Sequence, residues 1–120
     1  MGLESDGGQL VGTCTLAHLD AVNRRAELGF ALAREFWGKG YMKAALRVLL
    51  NFAFGNLGLH RLYADADPQN ARSIRTLERL GFVREGLFRE HYLVQGHPQD
   101  ALMFGLLKTE WEGRTSQIER

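Results

Sequence analysis

With a single cysteine, Cys14, among its 120 residues, the chain cannot close a disulfide on itself, and it has no Cys/His cluster at zinc-ligand spacing. That usage fits a reducing compartment, so a cytoplasmic location is expected. No segment reaches the roughly 18 apolar residues that a membrane-spanning helix needs. Residues 1–9 (MGLESDGGQ) lack the charged and apolar regions of a signal peptide. Charge of one sign is scarce too: 15 Lys and Arg against 14 Asp and Glu leave a formal net charge of +1, which announces neither a nucleic-acid nor a membrane partner. There is no internal repeat and no low-complexity tract. What remains, 45% hydrophobic and 24% charged, is the composition of one soluble globular domain over residues 1–120, large enough to bury a core without covalent or metal staples.

Residues 9–19 (QLVGTCTLAHL) mix alternation with β-branched side chains and follow Asp6-Gly7-Gly8, as a strand leaving a turn does. A polar stretch carrying Asp20, Asn23, Arg24 and Arg25 separates it from a second strand pattern over residues 26–33, so the two predict a hairpin. Residues 40–54 read as a long helix whose polar positions Lys43, Arg47 and Asn51 form one narrow stripe, the pattern of a helix covered on more than one side. Gly55 and Gly58 are expected to end it. A strand over residues 60–66 follows. Asp67, Pro68 and Asn70 then open a second helix over residues 71–80, with Ile74, Leu77 and Leu80 on one side and Gly81 closing it. The runs FVREGLFREHYLV and ALMFGLL flank QGHPQD (residues 95–100), read as a turn between antiparallel strands. The polar tail past Trp111, residues 112–120, is expected to fray. This order predicts an α/β (α+β) domain with a mixed, mostly antiparallel sheet flanked by helices.

The segment EFWGKGYMKAALRVLLNFAF sets Gly38 and Gly40 at the entrance of the long helix. The first amides of a helix have no intrahelical partner and point outward with the positive end of the dipole, and glycine lets an anion approach the main chain closely. The turn therefore suits a phosphate or pyrophosphate, with Lys39 available as an added charge; the alternative is glycines that serve the turn alone. Neither GxxxxGK[ST] nor GxGxxG is present, which disfavours ATP and NAD.

The series WGKGY, helix, DPQNARS, LERLGF, REG and GHPQD, in that order over residues 9–111, resembles the GNAT N-acetyltransferase superfamily, in its RimJ/RimL-like branch. The resemblance implies an acyltransferase that uses acetyl-coenzyme A as cosubstrate, without a metal, on a protein N-terminal α-amine or a small-molecule amine. It implies that Trp37, Gly38, Lys39, Gly40, Tyr41 and Met42 form the diphosphate turn, with Met42 bulkier than the usual last residue. Phe30, Ala31 and Leu32 match the strand that pairs with the pantetheine arm, and Asn70 the asparagine that reaches the cofactor. Glu27 is the candidate base, since acidic residues near this point serve so in parts of the superfamily. Where many relatives carry a tyrosine seven residues past the asparagine, this chain has Leu77. Ser73 is therefore the candidate for assisting the departing thiolate, with Tyr41 and Tyr92 behind it. Asp100 is expected to position rather than react.

Each of these residues also has a plainer reading. Asn70 is a good helix cap, Glu27 could be a surface ion pair with Arg24 or Arg25, Ser73 an exposed helix serine, and His91 a satisfied strand side chain. Relatives of this kind begin with a strand and two helices that this chain is expected to lack, and those helices form one wall of the acceptor pocket. The apolar surface of the residue 40–54 helix then needs a cover, which predicts a homodimer or a piece of a longer product. A coenzyme A-binding or interaction domain without activity is the alternative to an active enzyme. Nucleic-acid binding through Arg72, Arg75 and Arg79 is disfavoured by the near-neutral charge and the want of an aromatic platform.

Overall fold

In the computed structural model, which describes residues 2–4, 10–32 and 41–118, the predicted hairpin is formed by strands β2 (Leu10–Asp20) and β3 (Arg25–Leu32). Cys14 lies opposite Phe30 and Leu16 opposite Leu28. Asp20 fixes the turn between them. Its Oδ1 accepts the backbone N–H of Val22 (3.1 Å) and of Asn23 (2.9 Å), and its Oδ2 accepts the Asn23 amide (2.8 Å). The hydrogen bonds from Asn23 are the main reason that its carboxyl is held below the usual carboxylate range. A short strand β1 (Gly2–Glu4) pairs antiparallel with the other edge of β2; three residues are too few for alternation to show in a sequence.

Helix α1 (Tyr41–Asn51) packs on β1 and β2. Met42, Ala45, Leu46 and Leu50, then Ala53 and Phe54, are buried at helical spacing. The wet face is broader than the stripe of Lys43, Arg47 and Asn51: the neighbouring row of Ala44, Val48 and Phe52 is exposed beside it, Val48 to 60% and Phe52 to 46%. The expectation of cover on several sides is corrected to one buried face. Nor does Gly55 end the helix. The chain passes through it in a π-helical turn, Phe52–Asn56, in which the Leu57 N–H reaches the Phe52 carbonyl at 2.9 Å. The stop is Gly58, at φ +65°. The His60 N–H then bonds the Arg24 carbonyl (2.8 Å) and ties the chain to the hairpin turn. These elements form one compact unit, Met1–His60. Within it Cys14 is wholly buried, and that burial pushes its thiol pKa up.

The second unit, Arg61–Arg120, begins with β4 (Arg61–Ala66), in which Leu62, Ala64 and Ala66 are buried and Arg61, Tyr63 and Asp65 half-buried, the period of two that a one-sided strand requires. Helix α2 (Ala71–Arg79) follows, burying Ile74 and Leu77. Its end closes as predicted at Gly81 (φ +100°): the Gly81 N–H bonds the Glu78 carbonyl (3.0 Å) and the Phe82 N–H the Leu77 carbonyl (3.0 Å), a Schellman arrangement. Strands β5 (Val83–Val94) and β6 (His97–Leu107) form an antiparallel hairpin, and β6 also pairs antiparallel with β4.

The hairpin turn is only Gln95-Gly96, both left-handed (φ +51° and +81°), not the predicted residues 95–100. Two consecutive residues of that hand match the twist of the flanking strands. Pro98 is tolerated within β6 because it lies beyond the last pair with β4, Ala66 with Leu102, where β6 keeps only β5 as partner. The predicted frayed tail is corrected as well. The chain is helical over α3 (Lys108–Ile118), started by the Glu110 carboxylate accepting the Leu107 N–H (2.9 Å) and supported by Lys108 and Glu112 one turn apart (3.9 Å). Helices flanking antiparallel strands put the fold in the expected α/β class.

Candidate active site

In the first unit, the predicted cofactor residues Trp37, Gly38, Lys39 and Gly40 lie outside the described residues. Tyr41 and Met42 open α1, so their amides are among those without an intrahelical acceptor. The Met42 side chain is 7% exposed and belongs to the core, which leaves its main chain as what it can offer a ligand. Phe30, Ala31 and Leu32 sit at the end of β3, opposite Cys14, Thr13 and Gly12; Phe30 is half-buried and Ala31 exposed. Glu27 lies opposite Ala17 with its carboxylate 3.6 Å from Nε2 of His18, a histidine in left-handed conformation (φ +52°) where the register of β2 against β3 shifts. Arg25 instead faces Asp20 at 3.6 Å. The partner of Glu27 is thus a histidine that its place in the sequence did not mark, and the contact is an ion pair only when that ring is protonated.

In the second unit, Asn70 and Ser73 come together at the start of α2. Asn70 Oδ1 accepts the Ser73 N–H at 3.1 Å, so the capping role is realised. The approach to the cap is set by Asp67, whose carboxylate accepts the Gln69 N–H (2.9 Å) and whose carbonyl accepts the Asn70 N–H (2.8 Å). The cap uses only the oxygen of the Asn70 side chain. Its amide nitrogen and the Ser73 hydroxyl make no hydrogen bond among the described residues, and Asn70 is exposed. Leu77, where a tyrosine was sought, is fully buried in the core.

Beyond Ala66 the β5–β6 hairpin overhangs β4 as a two-stranded arm. Its pairing slips between Phe88, opposite Ala101, and Tyr92, opposite Gln99, so that Arg89, Glu90 and His91 share the place facing Asp100. Asp100 holds this bulge: its Oδ1 accepts the backbone N–H of Glu90 at 2.7 Å, while Glu90 is left-handed (φ +49°). Asp100 lies in a strand and not in the predicted turn, and what the structure shows of it is this hold on the bulge. His91 stands edge-on to the rings of Phe88 (5.2 Å) and Tyr92 (4.7 Å). The Tyr92 hydroxyl donates to the Asp65 carboxylate, which fastens the arm back onto β4. Asp65 was not singled out from sequence. The only hint was its place on the wet side of the alternation in HRLYADA, and its partner is 27 residues away. Phe88, Arg89, Glu90, His91 and Asp100 line an open concavity of about 770 Å³.

Residues 1–83 match the model of the acetyltransferase (GNAT) domain family. The chain is 44% identical to the Bacillus subtilis protein named "Putative ribosomal N-acetyltransferase YdaF", over 88% of this chain and 58% of that one. It is 40% identical to an uncharacterized N-acetyltransferase, p20, of Bacillus licheniformis, over 88% of this chain and 59% of that one. Among solved structures it resembles the F149A mutant of the spermidine N-acetyltransferase SpeG from Vibrio cholerae, with a TM-score of 0.86 and 27% identity, covering 95% of this chain and 68% of that one. The chain spans about three-fifths of the length of the curated relatives it matches.

Proposed function

Since the chain belongs to the GNAT acetyltransferase family, we propose that it transfers the acetyl group of acetyl-coenzyme A to a primary amine. The family match over residues 1–83, which takes in both the glycine turn and the Asn70–Ser73 helix start, carries the reading. The amine nitrogen attacks the thioester carbonyl carbon, the carbon–sulfur bond breaks, and the amine proton and the thiolate must each be accommodated. In this reading the turn of residues 37–42 takes the cofactor diphosphate on its amides, with Trp37, Gly38, Lys39 and Gly40 ahead of Tyr41 and Met42. Phe30, Ala31 and Leu32 pair with the pantetheine arm, and a main-chain N–H at Ala31 or Leu32 polarises the carbonyl. Asn70 contributes its amide N–H to the cofactor while its oxygen caps α2. Ser73, with its hydroxyl uncommitted among the described residues, assists the departing thiolate.

Glu27 receives the amine proton, directly or through a water. The demand on that base depends on the acceptor: an α-amine titrates at about 8 and a lysine at about 10.4, so an N-terminal amine needs much less help near neutral pH. The name of the B. subtilis relative, "Putative ribosomal N-acetyltransferase YdaF", points to a ribosomal acceptor, with which our reading of a protein N-terminal amine and of the RimJ/RimL-like branch is compatible; those of the spermidine acetyltransferases favour a small amine. We place the protein in the cytoplasm, which suits its one buried thiol, and as a homodimer. Thiol release from acetyl-coenzyme A, measured against peptides of different N-termini and against small amines, tests the reading. Turnover with one class is the expected result, and acetyl-coenzyme A binding without turnover on any amine would leave a coenzyme A-binding domain in its place.

A further inference from the structure

The outward side of α2 breaks two local rules of helix stability. Arg72, Arg75 and Arg79 are exposed and follow one another by three and four residues, so they form one stripe on the side away from the buried Ile74 and Leu77. Arg75 thus has a like charge one turn away in each direction, an arrangement that weakens a helix. The first turn, where the positive end of the dipole favours acids, has none and holds Arg72. Positions at which local rules fail are where a function is to be sought.

Within α2 three guanidiniums stand against one carboxylate, that of Glu78, and it lies 3.6 Å from Arg84. The nearest acid ahead of the helix, Asp67, accepts the Gln69 N–H (2.9 Å). The stripe is therefore a local excess of positive charge, on a unit that has as many acidic as basic residues. A complementary partner is anionic, and the surroundings choose its class. Seven residues of helix rise only about 10.5 Å, and α2 has no aromatic side chain on which a base could stack. A nucleic acid draws on an extended run of positive charge and on stacking. A few Asp and Glu side chains of a protein need no more than this short row of planar, carboxylate-matching forks. We propose that the outward face of α2 docks an acidic segment of a partner protein. The inference goes beyond acetyl transfer and stands whether or not the chain is active.

The experiment follows the anisotropy of dye-labelled poly-L-glutamate titrated with the full chain at low ionic strength. Saturable binding that weakens as salt is raised is expected. Each of Arg72→Gln, Arg75→Gln and Arg79→Gln should weaken it about threefold and the three together about thirtyfold, the size of exposed ion pairs. Changing all three to glutamate should abolish binding of poly-L-glutamate and create binding of poly-L-lysine, a reversal that cannot come from poor folding. Arg75→Glu alone, which sets an acid between Arg72 and Arg79, should weaken binding while the melting temperature stays level or rises; a fall would mark a structural arginine and overturn the proposal. No binding by the unaltered chain, or equal binding by the triple glutamine variant, would overturn it too. So would tighter binding of polyuridylate at matched charge, which would make the stripe a nucleic-acid contact. Displacement of poly-L-glutamate by saturating acetyl-coenzyme A, or a calorimetric affinity for that cofactor lowered by the glutamine changes, would assign the arginines to the cofactor instead.

Discussion

Gly55 and Gly58 stand three residues apart and do different work. Gly58 is left-handed at φ +65°, and a side chain there is strained whatever the space around it; Gly55 sits inside the π-helical turn, where an added Cβ meets nothing within 4 Å. Gly58→Ala should therefore cost about 1 kcal/mol, while Gly55→Ala should be neutral or stabilise by a few tenths to about 1 kcal/mol by restricting the unfolded chain; urea unfolding midpoints of the two variants check this. A sequence shows two glycines after a helix but not which carries the positive φ. The pair Arg61 and Glu85 makes the same point about distance in sequence. Arg61 on β4 and Glu85 on β5 meet in two hydrogen bonds (2.9 and 2.6 Å) over Gly105 of β6, where a Cβ would lie 2.4 Å from the carboxylate. Only glycine leaves them room. The hydrogen bond from Arg61 holds the Glu85 carboxyl below its ordinary value. Its contribution is thus complete above the unfolded pKa of about 4.3 and is lost as pH falls through the lower folded value. The pair is partly exposed, so the amount is under about 1 kcal/mol. Thermal scans from pH 7 to pH 3 should show Glu85→Gln less stable than the unaltered chain at pH 7 and the gap closing in acid.

At the scale of elements, α2 shows how much was legible. Its cap at Asn70, its buried side at Ile74 and Leu77 and its stop at Gly81 each obey a local rule, so the sequence alone placed them. The β2–β3 hairpin and β4 were legible for the same reason. What escaped had two causes: the continuation of α1 into a π-helical turn and the start of α3 at Glu110 rest on local bonds that no marked residue pattern announces, whereas the arm that the bulge at residues 89–91 reshapes depends on pairing between strands. The candidate site follows the same division. Asn70 and Ser73 were found because they are neighbours on one helix, whereas the His18 contact of Glu27 and the Asp65 contact of Tyr92 cross between strands. Asn70 is assigned two tasks that can be separated. Asn70→Ala should lower stability by about 1 kcal/mol through the lost cap and raise the KM for acetyl-coenzyme A. Asn70→Asp keeps the capping oxygen but has no amide N–H to donate, so it should restore the melting temperature and leave the KM raised. Melting curves beside steady-state kinetics read both, and a KM that recovers with the cap would remove the cofactor role from Asn70.

For the whole molecule, the proposed homodimer would draw on the exposed row of Val48 and Phe52 on α1. Burying such side chains fully is worth about 1.5–3 kcal/mol each. Ultracentrifugation at micromolar concentration should find a dimer for the unaltered chain and a monomer for Val48→Glu; a monomer in both cases would set the dimer aside. The burial of Cys14 has a use of its own. It is the chain's one thiol, and it belongs to the first of the two units, with no exposed surface. Its labelling by a disulfide reagent therefore acts as a clock for the opening of that unit alone, with no second thiol to blur the record. Trp111, in the second unit, offers an optical signal from the other half of the chain once Trp37, the tryptophan of the first unit, is replaced by phenylalanine. Run side by side in rising denaturant, the two readouts would tell whether the halves come apart in one step or in sequence.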